Sequence, residues 1–298
     1  SAKYPSSAPA LAAGTYNFSV STLDTSGKWS VAASAAFHVA PSDSDWTGVS
    51  WIGSDHLNVY HTVLQASPHF SSVMLHVCGL GFSTISLNGQ TSGFGALTTA
   101  PWTTYSRVNG FSSFDITRML HGANNSLVVR LGHGWRDPIF KKRDSGSGDG
   151  TISRVLRAMV VGIHADGTRD TLAHTGDGSW LGAAGPTTQD SVYNGETYDA
   201  RVAVKLGIDG HGMERGIDGH GVGGHGVRSS RLWAAAPRLS EDEAPAGAMV
   251  AWSVPGIQVT NRNPNNSPNL GPWHAGDGGI GAAPRQLLTH SPTHPPTH

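Results

Sequence analysis

Charge, cysteine and long apolar runs are all scarce in this sequence of 298 residues. Charged residues make up 14% of it, 20 basic against 21 acidic, for a net charge of −1. Nucleic acids and anionic membrane surfaces are recognised through a basic excess, so neither is an expected partner. No stretch reaches the roughly 18 consecutive apolar residues of a membrane-spanning helix. Cys78 is the single cysteine, which excludes an intrachain disulfide. Its place in an apolar strand marks it as a small buried hydrophobe. Long amphipathic helices are also missing. Glycine, by contrast, is abundant, with 39 residues, and 38% of the chain is apolar, enough for a sizeable core.

What is present is a series of short strands and tight turns. Val73, Leu75 and Val77 alternate with period two and run into Gly79-Leu80-Gly81. Ile85 and Leu87 form a second strand ending at Asn88-Gly89, the strongest short hairpin signal, because both residues tolerate positive φ. Residues 97–105, containing Pro101-Trp102-Thr103-Thr104-Tyr105, break the strand pattern. Residues 115–120 read as one helical turn capped by Asp115. Leu127, Val129 and Leu131 share a face before Gly132-His133-Gly134-Trp135. Residues 155–163 are apolar on both faces, as in a strand buried on both sides, and Asp166-Gly167 makes the next turn. The pattern predicts an all-β protein, an antiparallel jelly-roll-like β-sandwich over residues 45–205.

Composition changes mark the flanks. Residues 1–40 alternate like the last hairpin of a small β-domain. They are similar to the end of a fibronectin-III-like module, in which Tyr16 and Trp29 would pack internally. About 40 residues are too few for a complete sandwich of that kind, so truncation and docking onto the following strands both remain open. In residues 206–230 a Gly-Ile-Asp-Gly-His-Gly motif occurs twice and decays in a third copy. Such a glycine density predicts a flexible insertion, and its His211, His220 and His225 have no helpers for metal binding nearby in sequence. Residues 231–260 read as a continuation of the sandwich. Residues 261–298, rich in Pro, Asn, Gly and His, read as a disordered tail.

The pieces VCGLGF, ISLNG, APWTTY and FDITRML, in this order, resemble the N-terminal accessory module of bacterial-type α-L-rhamnosidases of glycoside hydrolase family 78. Trp46-x-Gly48-x-x-Trp51-Ile52-Gly53 resembles the entry to that module. Residues 193–201, YNGETYDAR, are its most specific match. Gly132-His133-Gly134-Trp135 is similar to a family motif in which tyrosine usually follows; Arg136 stands there here. The resemblance implies a β-sandwich that precedes a catalytic α/α barrel. In that barrel an acid and a base hydrolyse terminal α-L-rhamnose with inversion. The carboxylates doing this lie downstream of the stretch matched, so no catalytic pair is assigned. Glu196 and Asp199, three apart, read as structural, with Asp199 bonding Arg201.

Sugar binding by such a module implies an aromatic platform with oxygen-rich partners. Trp135 and Trp180 are the candidate platforms and Asn194 a sugar-binding partner. Some accessory modules of the family bind rhamnose through calcium, which takes oxygen ligands. Asp144 and Asp149, in the polar loop of residues 137–150, and Asn194 are the candidate metal ligands. Trp46 and Trp51 read as core. The expected partner is a rhamnose-containing carbohydrate. Three Asn-x-Ser sequons (at Asn17, Asn124 and Asn265) permit an extracellular or secreted setting. A non-binding spacer, a free rhamnose-binding lectin and a structural extracellular β-protein remain alternatives.

Overall fold

The computed structural model describes residues 11–66, 69–91, 93–94, 102–136, 152–206 and 232–253. Residues 207–230 of the expected flexible insertion with its three histidines, the tail, Asp144 and Asp149 lie outside these residues.

Two sheets face each other. One contains β3 (Ile52–Gly53), β5 (Ser72–Leu80), β7 (Val108–Asp115), β9 (Val155–Ile163), β10 (Arg169–His174) and β15 (Ala248–Ser253), in the order β10-β9-β5-β7-β15, with β3 pairing to β9. The other contains β4 (Val59–Gln65), β6 (Phe82–Leu87), β8 (Asn124–Gly132), β11 (Leu181–Ala183) and β14 (Ala234–Ala235), in the order β14-β11-β4-β8-β6. Between the sheets, Leu75, Val77, Phe114, Ala158 and Val160 meet Tyr60, Leu64, Ile85, Val129 and Leu131. The protein is an all-β sandwich, as the alternation requires. One pairing departs from the antiparallel expectation. β15 runs parallel to β7, with Ala248 opposite Val108. A strand that returns from the far end of the chain to an open sheet edge is not bound by the hairpin rule, which makes sequential neighbours antiparallel.

The turns follow the local chemistry. Asn88 (φ 52°) and Gly89 (φ 76°) both adopt the left-handed conformation. Gly167 does so at φ 85°, and the Asp166 carboxylate accepts a hydrogen bond from the Thr168 backbone N–H. The expected helical turn is a 3-10 turn, Thr117–Met119, entered through Asp115, whose carboxylate accepts the Thr117 N–H at 3.0 Å.

Residues 155–163 are apolar on both faces for a specific reason. Leu156, Ala158 and Val160 face the second sheet, while Val155 and Met159 face outward under a second core with Cys78, Leu80, Phe111, Trp46 and Trp51. Arg157 fixes this cover. Its guanidinium lies 5.6 Å from the Trp46 ring and 5.8 Å from the Trp51 ring and donates to the Val49 and Trp46 carbonyls. The paired tryptophans of residues 46–53 are therefore core. A third, smaller core joins Val59, Val128 and Ala183, on the outer face of the other sheet, to Trp233 and to Leu206 of α1 (Ala200–Leu206).

Before the sandwich, β1 (Gly14–Val20) and β2 (Ala33–Val39) pair as a two-stranded hairpin. The expectation that Trp29 packs internally is wrong. It is 63% exposed, because a two-stranded ribbon has no opposing layer to cover it. Tyr16 does stack on Phe37, at 5.6 Å. The hairpin touches the sandwich through Thr15, whose hydroxyl lies 3.3 Å from that of Ser72, and through His38, whose ring stacks on His76.

Candidate functional site: a loop cluster around Asp190

The loops at the Leu80 end of β5 are drawn together by glycines. Gly81, at φ 107°, lies against the Gly132 carbonyl, and a Cβ on Gly134 would sit 2.6 Å from the Gly81 Cα. Glycine is needed on both chains because two backbones cross with no room for a side chain. This crossing accounts for the second glycine of each motif, Gly81 and Gly134, and sets the course of residues 132–136.

Asp190 closes the cluster from β12 (Thr187–Ser191), which pairs with β13 (Gly195–Tyr198). Its carboxylate lies 2.8 Å from His133 Nδ1, accepts the His133 backbone N–H and sits 3.9 Å from the Arg154 guanidinium. Burial pushes the Asp190 carboxyl up. The hydrogen bonds from the His133 side chain and backbone, with the charges of His133 and Arg154, outweigh that effect and hold it below the ordinary carboxylate range. Arg154 in turn donates to the Asp55 carbonyl. Arg136, standing where tyrosine was expected, is buried at 1% exposure. It donates to the carbonyls of Ile152 (2.6 Å) and Glu243 (2.9 Å), tying the loop to the segment that leads into β15.

Trp135 projects from this loop, half-buried, and stacks on Trp102 with 4.8 Å between ring centroids and 16° between planes. Trp102 is 53% exposed. The two near-parallel indoles, one of them half-exposed, place aromatic surface at this end of the sandwich.

The other expected site residues fare differently. Trp180 is not a platform. It is 2% exposed inside the inter-sheet core, because the strand after it, β11, carries it between the layers. Asn194 is exposed at the tip of the β12–β13 hairpin, four residues beyond Asp190. With Asp144 and Asp149 outside the described residues, Asn194 stands alone among the expected calcium ligands. No group of three or more His, Cys, Asp or Glu that could hold a metal ion occurs among the described residues. Asp199 does bond Arg201, at 2.7 and 2.9 Å, and caps α1 through the Arg201 N–H. Arg201 holds its carboxyl down at about 2. The role of Trp102 and the junction of His133, Arg154 and Asp190 were missed in the sequence. The signals were Trp102 within the segment that broke the strand pattern and His133 within the Gly132–Trp135 motif.

The fold is an all-β sandwich of two facing sheets. Residues 69–210 match the family model of the α-L-rhamnosidase N-terminal domain, and this part of the chain belongs to that family. An α-L-rhamnosidase of Formosa agariphila is 28% identical over 149 residues, 48% of this chain and 15% of that protein. One from Streptomyces avermitilis is 27% identical over 183 residues, 60% of this chain and 16% of that protein. The chain thus spans about a sixth of the length of these relatives. Among solved structures, the α-L-rhamnosidase of Dictyoglumus thermophilum shares the fold with a TM-score of 0.57 at 18% identity, covering 81% of this chain and 26% of that one. The Aspergillus terreus enzyme does so with a TM-score of 0.53 at 21% identity, covering 80% and 27%. No helix among the described residues is long and apolar enough to cross a membrane.

Proposed function

We propose that this chain is the non-catalytic accessory region of a secreted α-L-rhamnosidase, and that it holds rhamnose-terminated glycans or glycosides for hydrolysis elsewhere in the enzyme. The reading is supported by membership in the N-terminal domain family and carried by one observation, the stacked pair Trp102–Trp135 with an exposed face. The indoles cover the apolar face of the deoxy sugar. Polar groups of the same loop cluster and of the hairpin tip at Asn194 meet its hydroxyls. The platform is rigid because the glycine crossing, Arg136 and the His133–Asp190 contact fix the loop that carries Trp135, so little ordering entropy opposes binding.

Titration of the chain with an L-rhamnose-terminated glycoside, followed by tryptophan fluorescence, tests this. Saturable quenching is expected, weakened at least tenfold by Trp102→Ala. A parallel arm with a chelator tests the expectation that calcium, held by Asp144, Asp149 and Asn194, takes part. Absence of saturable binding in every arm would favour a spacer that only positions its neighbours.

A further inference from the structure

A cavity lies toward the Ser72 end of β5, between the β1–β2 hairpin and the outer face of the six-stranded sheet. Its volume is about 200 Å³, below the usual range for drug-sized ligands and suited to something the size of one small ring. The floor is apolar, made by Met159, Val161 and Ile163 of β9, and the wall and rim carry His38, Asp45 and Arg169.

The polar groups there are incompletely used. His38 is 2% exposed, its Nδ1 faces the Thr15 hydroxyl at 3.3 Å, and its Nε2 is buried with no hydrogen-bond partner. A buried polar atom in that state costs stability unless something fills the space beside it. Asp45 Oδ2 accepts from Ser42, while Oδ1 lies 3.7 Å from Arg169 Nη1, an ion pair too long to be a hydrogen bond. A guanidinium and a carboxylate thus stand side by side at the rim, with donors on one and an acceptor on the other.

We propose that this crevice binds a small neutral polyol through a vicinal diol. One hydroxyl of the pair donates to Asp45 Oδ1, the adjacent hydroxyl accepts from Arg169, a third hydroxyl meets His38 Nε2, and the carbon skeleton lies on the β9 floor. A single charge of each sign leaves the site without net charge, which favours a neutral ligand over a carboxylate or an amine. Burial keeps both His38 and His76 in the neutral form, His76 also being bonded to Ser113 at 2.7 Å. The inference stands independently of the aromatic platform, since the two sites lie toward opposite ends of β5.

Titration of the full chain with L-rhamnose, cis-1,2-cyclohexanediol and cyclohexanol tests it, read by the nitrogen resonances of the His38 ring. The first two should bind saturably and shift the His38 Nε2 signal, and cyclohexanol, which lacks the diol, should bind at least tenfold more weakly. Arg169→Met should weaken binding at least tenfold and Arg169→Lys less, while Trp102→Ala should leave this response unchanged. Equal binding of cyclohexanol, insensitivity to Arg169→Met, loss on Trp102→Ala alone, or no saturable shift would each overturn the proposal.

Discussion

His133 and Asp190 meet at 2.8 Å across 57 residues of sequence. The contact joins the loop after β8 to the strand that begins the β12–β13 hairpin. It also neutralises part of the charge of Arg154, whose side chain is only 7% exposed. Asp190→Ala should therefore be more costly than removal of an ordinary surface carboxylate. It leaves the His133 N–H without its acceptor and Arg154 without its counter-charge, and the expected loss is about 1–3 kcal/mol. Urea denaturation checks this, and a loss under about 0.5 kcal/mol would show that solvent replaces the carboxylate.

Stability should fall in mild acid because of the stacked histidines. Burial lowers the His38 pKa from 6.5 to about 4 and drives that of His76 well below its ordinary value. The groups facing the pair are Asp115, which favours the charged form of His38, and Arg169, which opposes that of His76; Asp45 lines the same cavity. Between pH 6.5 and 4 the unfolded state binds more protons, so stability rises with pH across that window. The slope is up to about 1.4 kcal/mol per pH unit for each histidine. The contribution is fully present above pH 6.5. Denaturation midpoints between pH 4 and 8 should flatten in His38→Gln.

Two tryptophans should separate binding from stability. Trp180→Ala opens a cavity between the sheets and should cost about 3–5 kcal/mol. Trp102→Ala removes a half-exposed ring and should cost under about 1 kcal/mol while weakening the fluorescence-detected glycoside binding at least tenfold. Thermal melts paired with the fluorescence titration read both. Equal destabilisation by the two changes would mean that the Trp102–Trp135 pair is structural.

Cys78 should be inert in the native state. It is buried between Arg157 and the outer core, and burial pushes its thiol pKa far up, so almost no thiolate exists at neutral pH. A thiol reagent should label it only at the rate of unfolding. Rapid labelling in native buffer would show local opening of β5.

Much of the sandwich was legible because its cues are local. The alternation of Val73, Leu75 and Val77 does place them in the inter-sheet core, and Asn88-Gly89 does turn through positive φ. The hydrogen bond of Asp199 to Arg201 was also legible, since the two are neighbours. The candidate site was legible only in part. Trp135 stacks on Trp102 at the loop end, but Trp180 is in the core. Both follow short polar or glycine-containing stretches, and nothing in those stretches says which side of a sheet comes next.

The strand periods, the turns and the family-like run of residues 193–201 follow from residue types at fixed short spacing, and such spacing survives whatever the rest of the chain does. The parallel seating of β15 beside β7, the burial of Trp46 and Trp51 under Arg157, and the meeting of Trp102 with Trp135 were decided by the tertiary structure. Each depends on which distant segments share a sheet edge or a loop end. That choice is made by the summed burial of many side chains, and a single motif does not carry it.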